Sequence, residues 1–124
     1  MIERILSVGF CCILGPVSDA IAKVPDCTGA NGWPTAMAFV HMKNAGLTDN
    51  AKIDFTKTTT VRLASERIGR KDLYRQVHLV TYTEKAGKVI EAITVSDASN
   101  AECSESDVQV YVVSEHLGAQ RKIR

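Results

Sequence analysis

Leu73 to Ser96 reads LYRQVHLVTYTEKAGKVIEAITVS, and the period of this stretch decides the fold. Leu73–Thr83 and Lys88–Ser96 are rich in β-branched and aromatic residues that alternate with polar ones, and Glu84–Gly87 (EKAG) sets a short turn between them. The pattern predicts a β-hairpin. Within its first strand Tyr74, His78, Val80 and Tyr82 share one parity, so one sheet face carries two phenols and an imidazole.

Outward from the hairpin, Asp97–Asp107 (DASNAECSESD) is a polar loop, Val108–Ser114 (VQVYVVS) a last strand, and Glu115–Arg124 a tail that is basic at its end. On the other side Ile68–Asp72 (IGRKD) is a turn. Before it Ile53, Phe55, Val61 and Leu63 share one parity, while Asp54, Thr56, Thr58, Thr60 and Arg62 share the other. That alternation predicts one long, half-buried strand bent near Lys57. Further upstream Trp33, Ala36, Met37, Val40 and Leu47 fall on a stripe at helical spacing, with Pro34 suited to a first turn and Gly46 to a stop. Lys23–Gly32 (KVPDCTGANG) is an irregular lead.

Four strands joined by turns and short loops must run antiparallel, because parallel neighbours need crossovers of a dozen residues or more. The expectation is a two-layer α+β domain, one N-terminal helix packed on a four-stranded antiparallel meander. This order resembles the cystatin-like topology at the level of arrangement. The Gln-x-Val-x-Gly loop of those inhibitors is absent, the nearest string being Gln76, Val77, His78, Leu79 and Val80 inside a predicted strand. The resemblance therefore carries no functional residue across.

With 124 residues the chain is too short for two ordinary cores. A net charge of +1 leaves no electrostatic footprint of a nucleic-acid binder, and 45% apolar with 23% charged residues excludes collagenous, coiled-coil and low-complexity classes. The N-terminus reads as an address. Met1–Arg4 is a short n-region, and Ile5–Val17 (ILSVGFCCILGPV) is apolar. At about 13 residues the run falls short of the roughly 20 that a spanning helix needs, so no stable membrane anchor is expected. Ala20 and Ala22 then give the A-x-A spacing of a cleavage site. The expected organisation is a signal peptide over residues 1–22 and a single domain over 23–124. A buried N-terminal element competes with this reading because Glu3 weakens the n-region. A lipoprotein reading fits poorly, because Phe10 precedes Cys11 where a small residue belongs.

Of four cysteines, Cys11 and Cys12 leave with the address, and Cys27 and Cys103 remain as one pair. In an oxidising compartment they should bridge, with about 4 kcal/mol of stabilisation for a loop that long. No CxxC spacing exists and His41, His78 and His116 are scattered, so neither a metal nor another cofactor is expected.

No serine sits in a G-x-S-x-G elbow and no glycine-rich phosphate loop exists. His78 with Tyr74 or Tyr82 could move protons on a bound ligand, as in a small isomerase or lyase, if the imidazole lines a cavity. The bland alternative is ordinary strand residues with exposed polar tips. Arg62, Arg67, Arg70, Lys71 and Arg75 could grip a phosphate or acidic group, or simply solvate a turn and guard a sheet edge. Trp33 could mark a binding edge together with Asp26, Glu102 and Glu105, or begin the helix core. The leading expectation is an exported binding protein, periplasmic or secreted, acting on a protein partner as an inhibitor or immunity-type factor. The small pocket enzyme and an envelope assembly component that pairs through its sheet edge are the alternatives.

Overall fold

In a computed structural model the chain is described over Gly15, residues 23–69 and residues 71–118. The expected export segment (Gly15 apart), with Cys11, Cys12 and the cut after Ala22, lies outside the described residues. So do Arg70 and the end of the tail.

Among the described residues the order is helix α1 (Trp33–Asn44), a short 3-10 helix (Phe55–Lys57), then strands β1 (Thr59–Arg67), β2 (Tyr74–Thr83), β3 (Val89–Ala98) and β4 (Gln109–Val113). The strands form one antiparallel sheet in the order β1-β2-β3-β4. The α+β expectation holds, with the hairpin at its centre: Tyr74 pairs Ala98 and Thr83 pairs Val89 without a register break. Glu84 N donates to Lys88 O at 2.7 Å and Gly87 N to Glu84 O at 2.8 Å, which closes the turn. Gly87, at φ +100°, adopts a conformation that a side chain would strain.

Two expectations are corrected. Residues 53–58 do not extend β1: Ile53 makes only an isolated bridge to Glu84, and the chain then coils. Asp54 causes this, since its carboxylate accepts from Thr56 N and Thr56 Oγ1 and caps the 3-10 turn. In β1 itself no residue is fully buried, and the half that faces the helix layer is the polar one. Thr60 and Arg62 lie on the helix side with Val80 and His78, whereas Val61 pairs Leu79 on the opposite face. A bulge at Leu63 then shifts the register, leaving that side chain 54% exposed.

The helix stripe is also different. The buried positions of α1 are Pro34, Thr35, Ala38 and Met42, whereas Val40 is 40% and Leu47 45% exposed. Small residues at 35 and 38 let the helix approach the sheet closely enough for Tyr82 Oη to donate to Thr35 O and for Thr35 to share a hydroxyl bond with Thr60. Past the helix end Gly46 takes φ +73° and its N–H bonds Lys43 O at 3.0 Å, as expected of the stop. The apolar core comprises Ala38, Met42, Ile53, Val80, Tyr82, Ile90 and Ala92, with Phe39 and Val110 against it.

That core fills only part of the inner sheet face. The remainder carries Gln76, His78, Thr94 and Ser96, all buried. Pro25 O accepts from Gln76 Nε2 at 2.9 Å and from Arg62 Nη1 at 3.0 Å, which holds the lead segment against this polar region. Its neighbour Cys27, 2% exposed, is disulfide-bonded to Cys103.

Candidate functional site

The disulfide joins two irregular segments at one end of the sheet, the lead before α1 and the loop between β3 and β4. Each is ordered by its own short-range chemistry. In the lead, Asp26 accepts from Thr28 Oγ1 at 2.6 Å and Thr28 N at 3.1 Å, and these bonds hold its carboxyl below the usual range. Gly32 N then donates to Gly29 O at 2.8 Å. A Cβ on Gly32 would lie 2.7 Å from Cys27 O, so only glycine lets the chain fold back this tightly before the helix.

In the loop Ser99 is the organiser. Its Oγ accepts from Ala101 N and Glu102 N at 3.2 and 3.1 Å and approaches Glu105 Oε1 at 2.7 Å, while its own N–H donates to Glu102 O. Glu105 N donates to Asp97 O and Asp97 N to Ser106 Oγ, tying the loop back to the end of β3. Asn100 bonds both carboxylate oxygens of Asp72, at 3.0 Å from its N–H and 2.8 Å from its side chain. The 68–72 turn and the loop are thereby joined. Trp33 completes the assembly: half-buried at the start of α1, it donates its indole N–H to Ser106 O at 3.0 Å.

The result is a rigid end of the molecule that bears Asp26, Glu102, Glu105 and Asp107 on its exposed side. A groove of about 480 Å³ runs between Lys23, Pro25 and Asp26 on one bank and Ser99–Cys103 on the other. Chemically this is an acidic rim with fixed backbone geometry, suited to recognising cationic side chains.

The other expected site residues fall elsewhere. Of the five basic positions Arg70 lies outside the described residues, and Arg62 and Arg75 are engaged away from the turn. Arg62 turns inward to Pro25 O, whereas Arg75, on the outer face, pairs with Asp97 at 3.1 Å. Arg67 Nε reaches Lys71 O at 3.4 Å, and the Lys71 side chain is exposed. Tyr74, His78 and Tyr82 do share a face, as their parity predicts, and that face is the covered one. His78 is 0% exposed, opposite Thr94, and neither ring nitrogen has a hydrogen-bond partner among the described residues. Burial, reinforced by the Arg62 charge and opposed by Asp26, holds its imidazole below the ordinary value.

A second cleft, about 340 Å³, opens between α1 and the 3-10 turn. Phe39 and Phe55 meet edge to face there, with ring centroids 5.1 Å apart, and the Tyr82 ring forms part of its wall. Burial drives the Tyr82 phenol pKa upward, and its hydroxyl is already committed to Thr35 O. His78 is not among the residues lining this cleft.

Sequence reasoning missed Asp72, Ser99, Asn100 and Ser106 as organisers. The available signal was the Ser and Asn pair directly after a strand, residue types whose side chains bond nearby backbone. The chain matches no protein-family profile, no curated protein and no solved structure.

Proposed function

We propose that the chain is an exported binding domain, acting in the periplasm or outside the cell, whose disulfide-stapled acidic end engages a basic cleft on a protein partner. Inhibition or immunity-type neutralisation is the form of activity that fits a small domain of this kind. The cystatin-like reading of its arrangement, an N-terminal helix followed by a meander, belongs to the same proposal. The observation that carries it is the ordering of the 97–107 loop by the Cys27–Cys103 bridge, the Ser99 bonds and the Trp33 indole. A surface already fixed in its binding shape loses little conformational freedom on association, which leaves more of the contact energy as affinity.

The test has two stages. Intact mass with thiol labelling, on protein recovered from an expressing cell, should give a chain beginning at Lys23 whose two cysteines react only after reduction. Immobilised oxidised protein should then retain a partner from envelope extract with saturable one-to-one stoichiometry, in a salt-sensitive manner. Glu102→Lys and Asp107→Lys should each weaken that binding at least tenfold. Retention of nothing, or binding indifferent to both reversals, sinks the proposal.

A further inference from the structure

The two edges of the sheet are built differently. β1, at one edge, carries Arg62, Glu66 and Arg67, and a bulge at Leu63 breaks its pairing register. Charges and bulges of that kind keep another strand from adding to an edge. β4, at the other edge, reads Gln-Val-Tyr-Val-Val, with no charge, proline, glycine or register break. Every second residue of an antiparallel edge strand turns its N–H and C=O away from its neighbour. Among the described residues no backbone group outside the sheet takes up those of β4. The side chains around this edge are open as well. On the inner face Val110 and Val112, which pair with Thr94 and Ala92, border a groove of about 430 Å³ whose far bank is His41, Met42, Ala45 and Leu47 at the end of α1. Val112 is 41% exposed. On the outer face Tyr111, 57% exposed, ends an apolar row that runs from Val61 through Leu79 and Ile93. Exposed carboxylates frame the strand, Asp107 before it and Glu115 after it.

We infer that the β4 edge receives an extended segment of a partner protein, apolar or β-branched along its middle and basic at both ends, which adds to the sheet as a further strand. The backbone fixes the conformation of this occupant. Donors and acceptors alternating along an edge are satisfied together only by another extended chain, and side-chain pockets on alternate positions then select among sequences. Every second residue of the segment continues the inner face past Val110 and Val112, beside a groove whose lining holds no Lys, Arg, Asp or Glu. Apolar side chains therefore belong there. The flanking carboxylates set the charge: basic side chains at the two ends of the segment meet Asp107 and Glu115 whichever way the added strand runs. The same carboxylates tell against a second copy of this chain. Full antiparallel overlap of two β4 strands sets Asp107 of each copy against Glu115 of the other, and parallel overlap sets each carboxylate against its own equivalent. The occupant is thus a different polypeptide. This edge shares only Asp107 with the disulfide-stapled acidic end, so the charge reversal that tests it is made at Glu115.

The probe is a blocked synthetic peptide, Lys-Val-Thr-Val-Thr-Val-Thr-Val-Lys, which reads the same in both directions and can set its lysines opposite residues 107 and 115. Titrated with the oxidised protein, as recovered from an expressing cell, and followed by fluorescence anisotropy, it should bind one to one and slow hydrogen exchange at the outward amides of β4. Glutamate in place of both lysines, or Glu115→Lys in the protein, should each weaken binding about tenfold. A peptide methylated on its backbone nitrogens, which can no longer donate to β4, should not bind. Val112→Lys, which points a charge inward at the edge, should abolish binding while leaving the far-ultraviolet dichroism unchanged. Should that variant fail to fold, Glu115→Lys, outside the strand, carries the test. Absence of binding overturns the inference, as does binding that survives backbone methylation or is indifferent to Glu115→Lys. Slow exchange at every amide of β4 before any peptide is added overturns it too, because the edge would then be covered by residues outside 23–118 or by a second copy.

Discussion

The two faces of the sheet divide the labour in an unexpected way. On the inner face, apolar packing under α1 gives way to a buried polar region under the lead segment, held by a disulfide and by bonds to Pro25. On the outer face an apolar band lies open. Burial and apolarity are therefore uncoupled in this molecule. Gln76 Oε1, both His78 nitrogens and Thr94 Oγ1 are enclosed without partners among the described residues. Such groups carry a desolvation cost that water-exposed ones do not.

The contrast can be broken most severely at the staple. Replacing Cys27 and Cys103 together by serine should lower the unfolding free energy by about 4 kcal/mol, read from urea denaturation. A loss near zero would mean that the bonds to Pro25 alone hold the lead in place. Neighbouring residues on opposite faces give a sharper comparison. Val80→Ala empties a fully buried position and should cost about 2 kcal/mol. Leu79→Ala should cost less, about 1 kcal/mol, because its side chain is already partly exposed. Equal losses would show that the outer face is covered within one chain.

A third test is acidity. The folded chain holds His78 below its ordinary value near 6.5, so the unfolded chain takes up a proton that the folded one resists. The stabilising contribution of a neutral His78 is thus fully present above about pH 6.5 and is lost as pH falls toward the lower folded value. His78→Gln should flatten that decline, and stability profiles that fall in parallel for both proteins would acquit the imidazole. The smallest effect belongs to Trp33→Phe, which keeps the ring but removes the donor to Ser106 O. About 1 kcal/mol should be lost, along with hydrogen-exchange protection confined to the 97–107 loop.

Most of the fold is legible in the residues, for reasons that differ by element. The β2–β3 hairpin is readable because alternation, length and turn chemistry agree, and the disulfide because only one pairing remains on the expectation that residues 1–22 are removed. Residues 53–67 mislead because their alternation is real while its meaning is inverted. Val61 belongs to the open band, and the Asp54 cap halts the strand before Thr59. The helix misleads because its buried face runs through Pro34, Thr35, Ala38 and Met42, where the polar Thr35 interrupts the apolar stripe, while the larger Val40 points outward. The acidic end was only partly visible. Its charges and Trp33 can be named from the chain, whereas the bonds from Ser99 and Asn100 that shape it depend on the Asp72 turn lying alongside.

The order of the strands also dictates an order of events in time. Every sheet pairing joins strands consecutive along the chain, so the meander can zip from adjacent hairpins with short loop closures. Contacts of the lead are the distant ones, Pro25 to Gln76, Trp33 to Ser106 and Cys27 to Cys103, the last spanning 76 positions. Their closure entropy is offset only after the strands have set the far ends in place. The Cys27–Cys103 bond thus forms last, as a lock on a sheet already assembled rather than as a guide to its assembly.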